Sequence, residues 1–404
     1  MSPEAESFIK NARIAKVIPG AEINHWLAQG RVELLYEIAQ ELLRSPHSRA
    51  GDTRTGKWIV ETILRGLCLT AGAAATGAIL RLFPLLQDSI AARRLPADRH
   101  LRANDIAQML AATQPTGLLR EIVAAYASDL AYTELIACLV QETVLRRKAE
   151  DSTLWRAAIK GTPVAAHPLS WLPLTLSEIE AGLPMYLPRY GPQSVSVGMA
   201  SNAAQDQTVA AAAGRPGTQE KIEALTASWC AELHPIHDVT TPDRAEQILT
   251  AVLPWKGESN GRLEARLFTI DQPISAGMVD TCLLAACGLD SAPAATPDNV
   301  NLVPASPAEV LSSLFSASSG GGAYGGDRCG AFGRYDAWRS IAALAGAPTG
   351  STFHEAEAAV YACRGWWTFY STSSWFFDVA WDIGLICLRA DGRSLAVLAA
   401  TDTD

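Results

Sequence analysis

Arg328 and Arg334 close a glycine-dense segment, Ser319-Gly320-Gly321-Gly322-Ala323-Tyr324-Gly325-Gly326-Asp327-Arg328-Cys329-Gly330-Ala331-Phe332-Gly333-Arg334. Six of the thirty glycines lie between Gly320 and Gly330, a local excess that calls for an explanation. Backbone N–H groups of a glycine-rich turn that opens a helix can cradle an anion, helped by the helix dipole. Arginine adds fork-shaped donors suited to phosphate or carboxylate. The segment lacks Gly-x-x-x-x-Gly-Lys-Ser/Thr, and the chain before it reads as a capped helix where a dinucleotide fingerprint needs a strand. Two readings follow: a loop packed on a sheet, with Tyr324 and Phe332 as anchors, or an anion site. The candidate binding residues are Gly321, Gly322, Tyr324, Arg328, Arg334, Trp338 and Arg339. The aromatic run behind them adds Asp378, Trp381 and Asp382. The anion facing the arginines is a phosphate, a partner carboxylate or one of the chain's own acids, such as Asp378 or Asp382.

Other chemistry is less complete. Cys230, His234 and His237 are metal-capable within a short stretch, but Pro235 disturbs a shared helical face and a four-ligand zinc site lacks a second cluster. No metal site and no cofactor are expected. Ser318, Ser319, Cys329, His354 and Asp378 supply the residue types of a nucleophilic triad, yet there is no Gly-x-Ser-x-Gly elbow. No catalytic motif is complete, so the sequence does not decide whether the protein is an enzyme.

The elements that must position these residues divide the 404-residue chain. Residues 1–162 read as a helical domain, an irregular bundle or solenoid-like array. Val32, Leu35, Ile38 and Leu42-Leu43 recur at helical spacing. Thr116 reads as the N-cap of a long helical stretch through Val140 that ends at Arg146-Arg147-Lys148. Residues 163–219 are a proline-rich connection that ends in a polar stretch, Gly198 to Gln219, with the composition of a mobile linker or exposed loop. Residues 220–404 mix helices and strands. Thr241-Pro242 opens a helix, and Ser306-Pro307-Ala308-Glu309 is a capping box. Arg262 to Leu267 alternates as a half-buried strand. Ile383 to Arg389 and Ser394 to Ala400 flank Asp391-Gly392, a type I′ hairpin signal. Trp375, Val379 and Asp382 fit a helical period. The fold class is α+β (or α/β), ending in a hairpin whose acidic tail, Asp402 to Asp404, emerges solvated at a sheet edge.

Composition narrows the function. Hydrophobic residues make up 49% and charged ones 19%, as in a folded globular protein. The uncharged, Ala/Gly-rich run Gly66 to Leu80 is too short for a membrane span and reads as buried helix. The N-terminus lacks an apolar export signal, and the scattered cysteines read as reduced thiols, so a cytoplasmic location is expected. Residues 151–404 carry 15 Lys/Arg against 26 Asp/Glu, a balance of −11, which argues against nucleic acid and fits a basic partner.

Gly321-Gly322-Ala323-Tyr324, Gly330-Ala331-Phe332-Gly333-Arg334, Ala337-Trp338-Arg339-Ser340 and the closing Ala380-Trp381-Asp382-Ile383-Gly384 through Asp404 resemble an uncharacterised bacterial family seen mainly in actinomycetes. The resemblance is specific over roughly residues 310–404. It implies no activity and no catalytic residue, but its company with toxin-immunity-like families implies a binding protein. Two function classes are therefore expected. One is a cytoplasmic, immunity-type or defence-associated protein that captures a protein partner through an acidic C-terminal domain. The alternative is an enzyme or sensor that binds a nucleotide-like or other anionic small molecule at the glycine loop.

Overall fold

The computed structural model describes residues 1–15, 20–44, 53–91, 101–149, 151–183, 235–258, 260–323, 328–377 and 381–403. The Gly198–Gln219 linker, Cys230, His234, Tyr324 and Asp378 lie outside the described residues. Two compact units emerge: one spans Met1–Ser170, and the other takes the described residues from Trp171 onward.

The first unit is helical, as its periodicity predicts. Its helices are α1 (Pro3–Ala15), α2 (Gly20–Ala28), α3 (Val32–Arg44), α4 (Thr53–Leu69), α5 (Ala73–Ala91), α6 (Ala103–Thr113), α7 (Thr116–Tyr126), α8 (Thr133–Leu145) and α9 (Ser152–Ile159). The apolar stripe of α3, Leu34, Leu35, Ile38, Ala39, Leu42 and Leu43, is buried where α3 packs on α4 and α5. The Gly66–Leu80 run is the end of α4 and the start of α5. Between them, buried Gln114 accepts from Gly72 N at 2.9 Å and donates to Thr70 O at 3.0 Å, so one side-chain amide satisfies both sides of the turn. Lys148 Nζ donates to the carbonyls of Ala111, Ala112 and Gln114 at the end of α6. Among the described residues no helix is long and apolar enough to cross a membrane.

The long helix expected from Thr116 is two helices. Asp129 accepts from Ala131 N and starts a 3-10 turn, Leu130–Tyr132, which separates α7 from α8. Thr116 is the first helical residue, and the N-cap is Pro115, whose φ of −68° and ψ of 149° are extended. At Asp129, an Asx-type bond two residues ahead competes with the helical ladder.

The second unit is α+β. A six-stranded antiparallel sheet runs β1 (Ile236–Asp238), β2 (Arg262–Ile270), β6 (Ser394–Asp402), β5 (Trp381–Leu388), β4 (Gly365–Ser371), β3 (Val300–Ala305) in spatial order. Its helices are α10 (Pro242–Leu249), α11 (Leu253–Glu258), α12 (Thr281–Cys287), α13 (Pro307–Gly320), α14 (Cys329–Ala345) and α15 (Phe353–Ala362). Strand alternation sorts the side chains onto two faces. Phe268, Ile386, Leu388, Leu395, Val397, Trp367 and Phe369 form one core with Leu283 and Leu284 of α12. The opposite face meets α13 and α14.

Three expectations change here. The 389–393 turn is not type I′, because Asp391 does not have a positive φ while Gly392 does, at 67°. Gly392 N instead donates to Arg389 O, and the Asp391 carboxylate accepts from Arg393 N and Ser394 N. The helical period around Trp375 gives way to strands: Trp366, Trp367 and Phe369 belong to β4, and Trp375 and Phe376 stand in the turn after it. The acidic tail is also not at an edge. β6 pairs with β2 on one side and β5 on the other, and Asp402 is fully buried.

Candidate functional site

The glycine segment joins α13 to α14, two helices that pack against each other. Ser306 and Glu309 form the predicted capping box at the start of α13, with Ser306 Oγ accepting from Glu309 N. The helix ends at Gly321, whose φ of 70° and ψ of −174° fall in a region open only to glycine. Gly322 then lies directly on the Asp402 carboxylate: a Cβ there would sit 2.2 Å from Oδ2 and 3.3 Å from Trp255 Cδ1. Ala323 N donates to the same Oδ2 at 2.7 Å. Trp255 is fully buried and donates through Nε1 to Ala317 O at 3.2 Å. Arg328 N donates to Ser318 O at 3.3 Å and closes the loop. Cys329 follows, buried and at a positive φ of 54°.

Arg328 faces an acid of its own chain. Its Nε donates to Asp336 Oδ2 at 3.0 Å, Ser318 Oγ donates to the same oxygen at 3.0 Å, and its guanidinium stacks 4.9 Å from the Phe332 ring centre. Burial pushes the Asp336 carboxyl above its usual range, against the opposing pull of Arg328 and Ser318. Asp336→Asn keeps an acceptor for Ser318 and removes a charge the fold disfavours. Arg328, at 39% exposure, keeps access to water, so the variant is expected within about 1 kcal/mol of the parent. A raised folded pKa means that the folded chain holds this proton more tightly than the unfolded one. The penalty on the parent therefore sets in as pH rises through the folded value and vanishes toward the unfolded value of about 3.9. Urea titrations at neutral pH and at lower pH check this: the variant's relative stability should fall on acidification, and a rise contradicts it.

Arg334 is wholly buried, and so is its partner, Glu180. Arg334 Nε donates to Oε1 at 2.5 Å and Nη2 to Oε2 at 2.8 Å, a two-bond fork. Trp338 Nε1, one helical turn along α14, donates to Oε1 at 2.8 Å. Nη1 and Nη2 also donate to Pro173 O and Thr175 O, and Ser177 N donates to Glu180 Oε2. These bonds fasten the 173–180 segment to α14. Arg339 stacks 5.5 Å from the Trp171 ring, and Trp171 Nε1 donates to Ser351 O at 2.8 Å.

The structure thus separates the sequence candidates. Gly321, Gly322 and Arg328 share the loop, whereas Arg334 and Trp338 serve Glu180. Asp382 lies on the other face of the sheet from Asp402, where Thr401 Oγ1 donates to its Oδ1 at 2.5 Å. Trp381 pairs in register with Asp402. Ser318 and Cys329 are each 1% exposed while the His354 side chain is 91% exposed, so these three do not assemble a triad. His237 pairs with Asp271 at 3.2 Å, and among the described residues no group of three or more His, Cys, Asp or Glu could hold a metal.

Among the described residues of the second unit four acids are buried, Glu180, Glu264, Asp336 and Asp402; sequence reasoning gave the first three no role and read Asp402 as part of a solvated tail. Only Glu180 carried a local signal, because Ser177-Glu178-Ile179-Glu180 is a capping-box pattern. Glu264 lies on β2, next to the edge strand β1, and accepts from Asp290 N at 3.0 Å and Ser291 N at 2.8 Å. Beside it, Arg266 faces three carboxylates at once: Asp238 at 3.0 Å, Glu264 at 3.4 Å and Asp290 at 3.7 Å. Burial works to raise the Asp238 carboxyl, but hydrogen bonds from Thr240 and the Arg266 charge outweigh it and hold the group below its usual range.

Nothing among curated proteins and nothing among solved structures matches this chain. A family model described as a family of unknown function (DUF6183) matches residues 20–404, a far longer span than the C-terminal motifs that first suggested an uncharacterised family. The chain belongs to that family of unknown function.

Proposed function

We propose that this protein is a binding protein of the immunity or defence-associated type, which captures a basic protein partner through its acidic C-terminal unit. The observation that carries the reading is the carboxylate excess around Arg266. One guanidinium faces Asp238, Glu264 and Asp290, and exposed Asp271, just after β2, adds a further carboxylate beside His237 of β1, so negative charge is left over after internal pairing. Such a patch steers a positively charged partner and favours its docking. Support for the immunity class comes from the C-terminal resemblance. The alternative, an anionic small molecule at the glycine loop, has less support, because Arg328 and Arg334 already face Asp336 and Glu180.

Neutralising the patch tests the reading. Asp238→Asn, Asp271→Asn and Asp290→Asn together remove three exposed charges, and exposed pairs contribute at most about 1 kcal/mol each. The probe is a ten-lysine peptide titrated calorimetrically at low and high salt. The parent should bind it with an affinity that falls as salt rises. The triple variant should lose about tenfold or more, equivalent to about 1.4 kcal/mol, with melting largely unchanged. A parent that ignores the peptide, or a variant that binds it equally well, overturns the reading.

A further inference from the structure

We propose that Cys363 and Cys387 form a redox-responsive thiol pair, a modification site at which a hydroperoxide closes a reversible disulfide between α15 and the central sheet. Both thiols are free, and their Sγ atoms stand 3.4 Å apart. A disulfide needs about 2.0 Å between the sulfurs, so about 1.4 Å must close, a distance that small side-chain rotations cover. The approach is built into the fold. Cys363 is the C-cap of α15. The next residue, Arg364, donates its backbone N–H to Leu388 O at 2.9 Å. Gly365 and Trp366 then pair with Leu388 and Cys387 at the start of β4. The chain is thus pinned to β5 through the three residues that follow Cys363, and Cys387, which alternates with Ile386 and Leu388, lies on the sheet face that meets α13 and α14.

The two positions differ in access, and this sets the order of events. Cys363 is partly exposed, whereas Cys387 is fully buried and its thiol is pushed well up by that burial. Cys363 is therefore the entry point. Its thiolate attacks the terminal peroxide oxygen, the O–O bond breaks, and hydroxide or alkoxide leaves as the sulfur becomes a sulfenic acid. Cys387 then gives up its proton and attacks Cys363 Sγ; the S–O bond breaks, the S–S bond forms and water departs. Two thiols lose two electrons in total, and one hydroperoxide is reduced to an alcohol, or to water, plus water. A dithiol reductant reverses the change. This inference is independent of the acidic patch, which lies on the β1–β2 side of the sheet.

The test uses the full chain and hydrogen peroxide, followed by alkylation under denaturing conditions and mass spectrometry. Of the eight cysteines, two should become protected, and the protection should vanish with dithiothreitol. Trypsin should release a linked pair of peptides covering residues 340–364 and 365–389. Cys387→Ala should leave Cys363 as a sulfenic acid that dimedone traps, while Cys363→Ser should leave Cys387 open to alkylation. Because the main readout is made on the parent, it stands even if a variant folds poorly. Eight alkylatable thiols after peroxide treatment, or a bridge between other cysteines, overturns the proposal.

Discussion

Arg334→Ala should lower the stability of the C-terminal unit by about 3–5 kcal/mol, the cost of leaving a buried charge without its partner. Glu180→Ala should cost a similar amount, because it strands the guanidinium together with Trp338 Nε1 and Ser177 N. Three observations place these residues at the high end for a single substitution. Both side chains are 0% exposed, the pair shares two hydrogen bonds, and Nη1 and Nη2 donate further bonds to Pro173 O and Thr175 O. Water cannot replace the lost partner, as it does for exposed pairs. Removing both charges should cost less than the sum of the single changes, because neither ion is then left alone. The double variant should still fall short of the parent, since each orphaned buried donor or acceptor costs about 1–3 kcal/mol. Urea denaturation of the two single variants and the double variant, followed by tryptophan fluorescence, measures the cycle. If either single change stays within about 1 kcal/mol of the parent, the pair does not hold the 173–180 segment to α14.

The sequence expectations that survive are those whose cause is local. The Ser306–Glu309 capping box, the Thr241 cap and the alternation from Arg262 each depend on residues a few positions apart, and each element appears where its signal stands. The readings that change depend on partners far along the chain. Glu180 and Arg334 are separated by 154 residues, so an arginine that reads as a surface anion clamp becomes the counter-ion of an unseen acid. Sheet order is equally hidden. The last strand reads as an edge because the chain ends there, yet it inserts between β2 and β5 and takes Asp402 into the interior. The aromatic run is a further case. The spacing of Trp375 and Asp382 fits a helical period, yet Trp375 stands in a turn and Asp382, in β5, pairs with Thr401, and only that distant pairing partner decides between the two. Of the candidate site, the glycine loop and the need of its arginines for an anion were legible; the identity of the carboxylates that meet that need was not.

Gly322→Ala should destabilise the unit by about 1–3 kcal/mol through overpacking alone, and by more if the contact beneath it breaks. The new Cβ would fall 2.2 Å from Asp402 Oδ2, well inside contact distance, with Trp255 closing the other side at 3.3 Å. Asp402 cannot retreat freely. It is held in register opposite Trp381, is fully buried, and accepts the Ala323 N–H at 2.7 Å through the oxygen that would be struck. Relief therefore means losing that bond, which strands a backbone donor and adds about 1–3 kcal/mol. The same contact makes the C-terminal residues structural. Deleting Asp402 to Asp404 removes the acceptor for the loop and the end of β6, so the truncated chain should melt well below the parent, unlike a chain that loses a solvated tail. Two point variants separate charge from shape. Asp402→Asn keeps an acceptor for Ala323 N and should stay closer to the parent, whereas Asp402→Ala should approach the truncation in its cost. Thermal melts of the four proteins give the order: parent, then asparagine, then alanine and the truncation. A truncated chain that melts with the parent would show that the glycine loop keeps its shape without Asp402, and a Gly322→Ala variant as stable as the parent would show that the carboxylate can move aside.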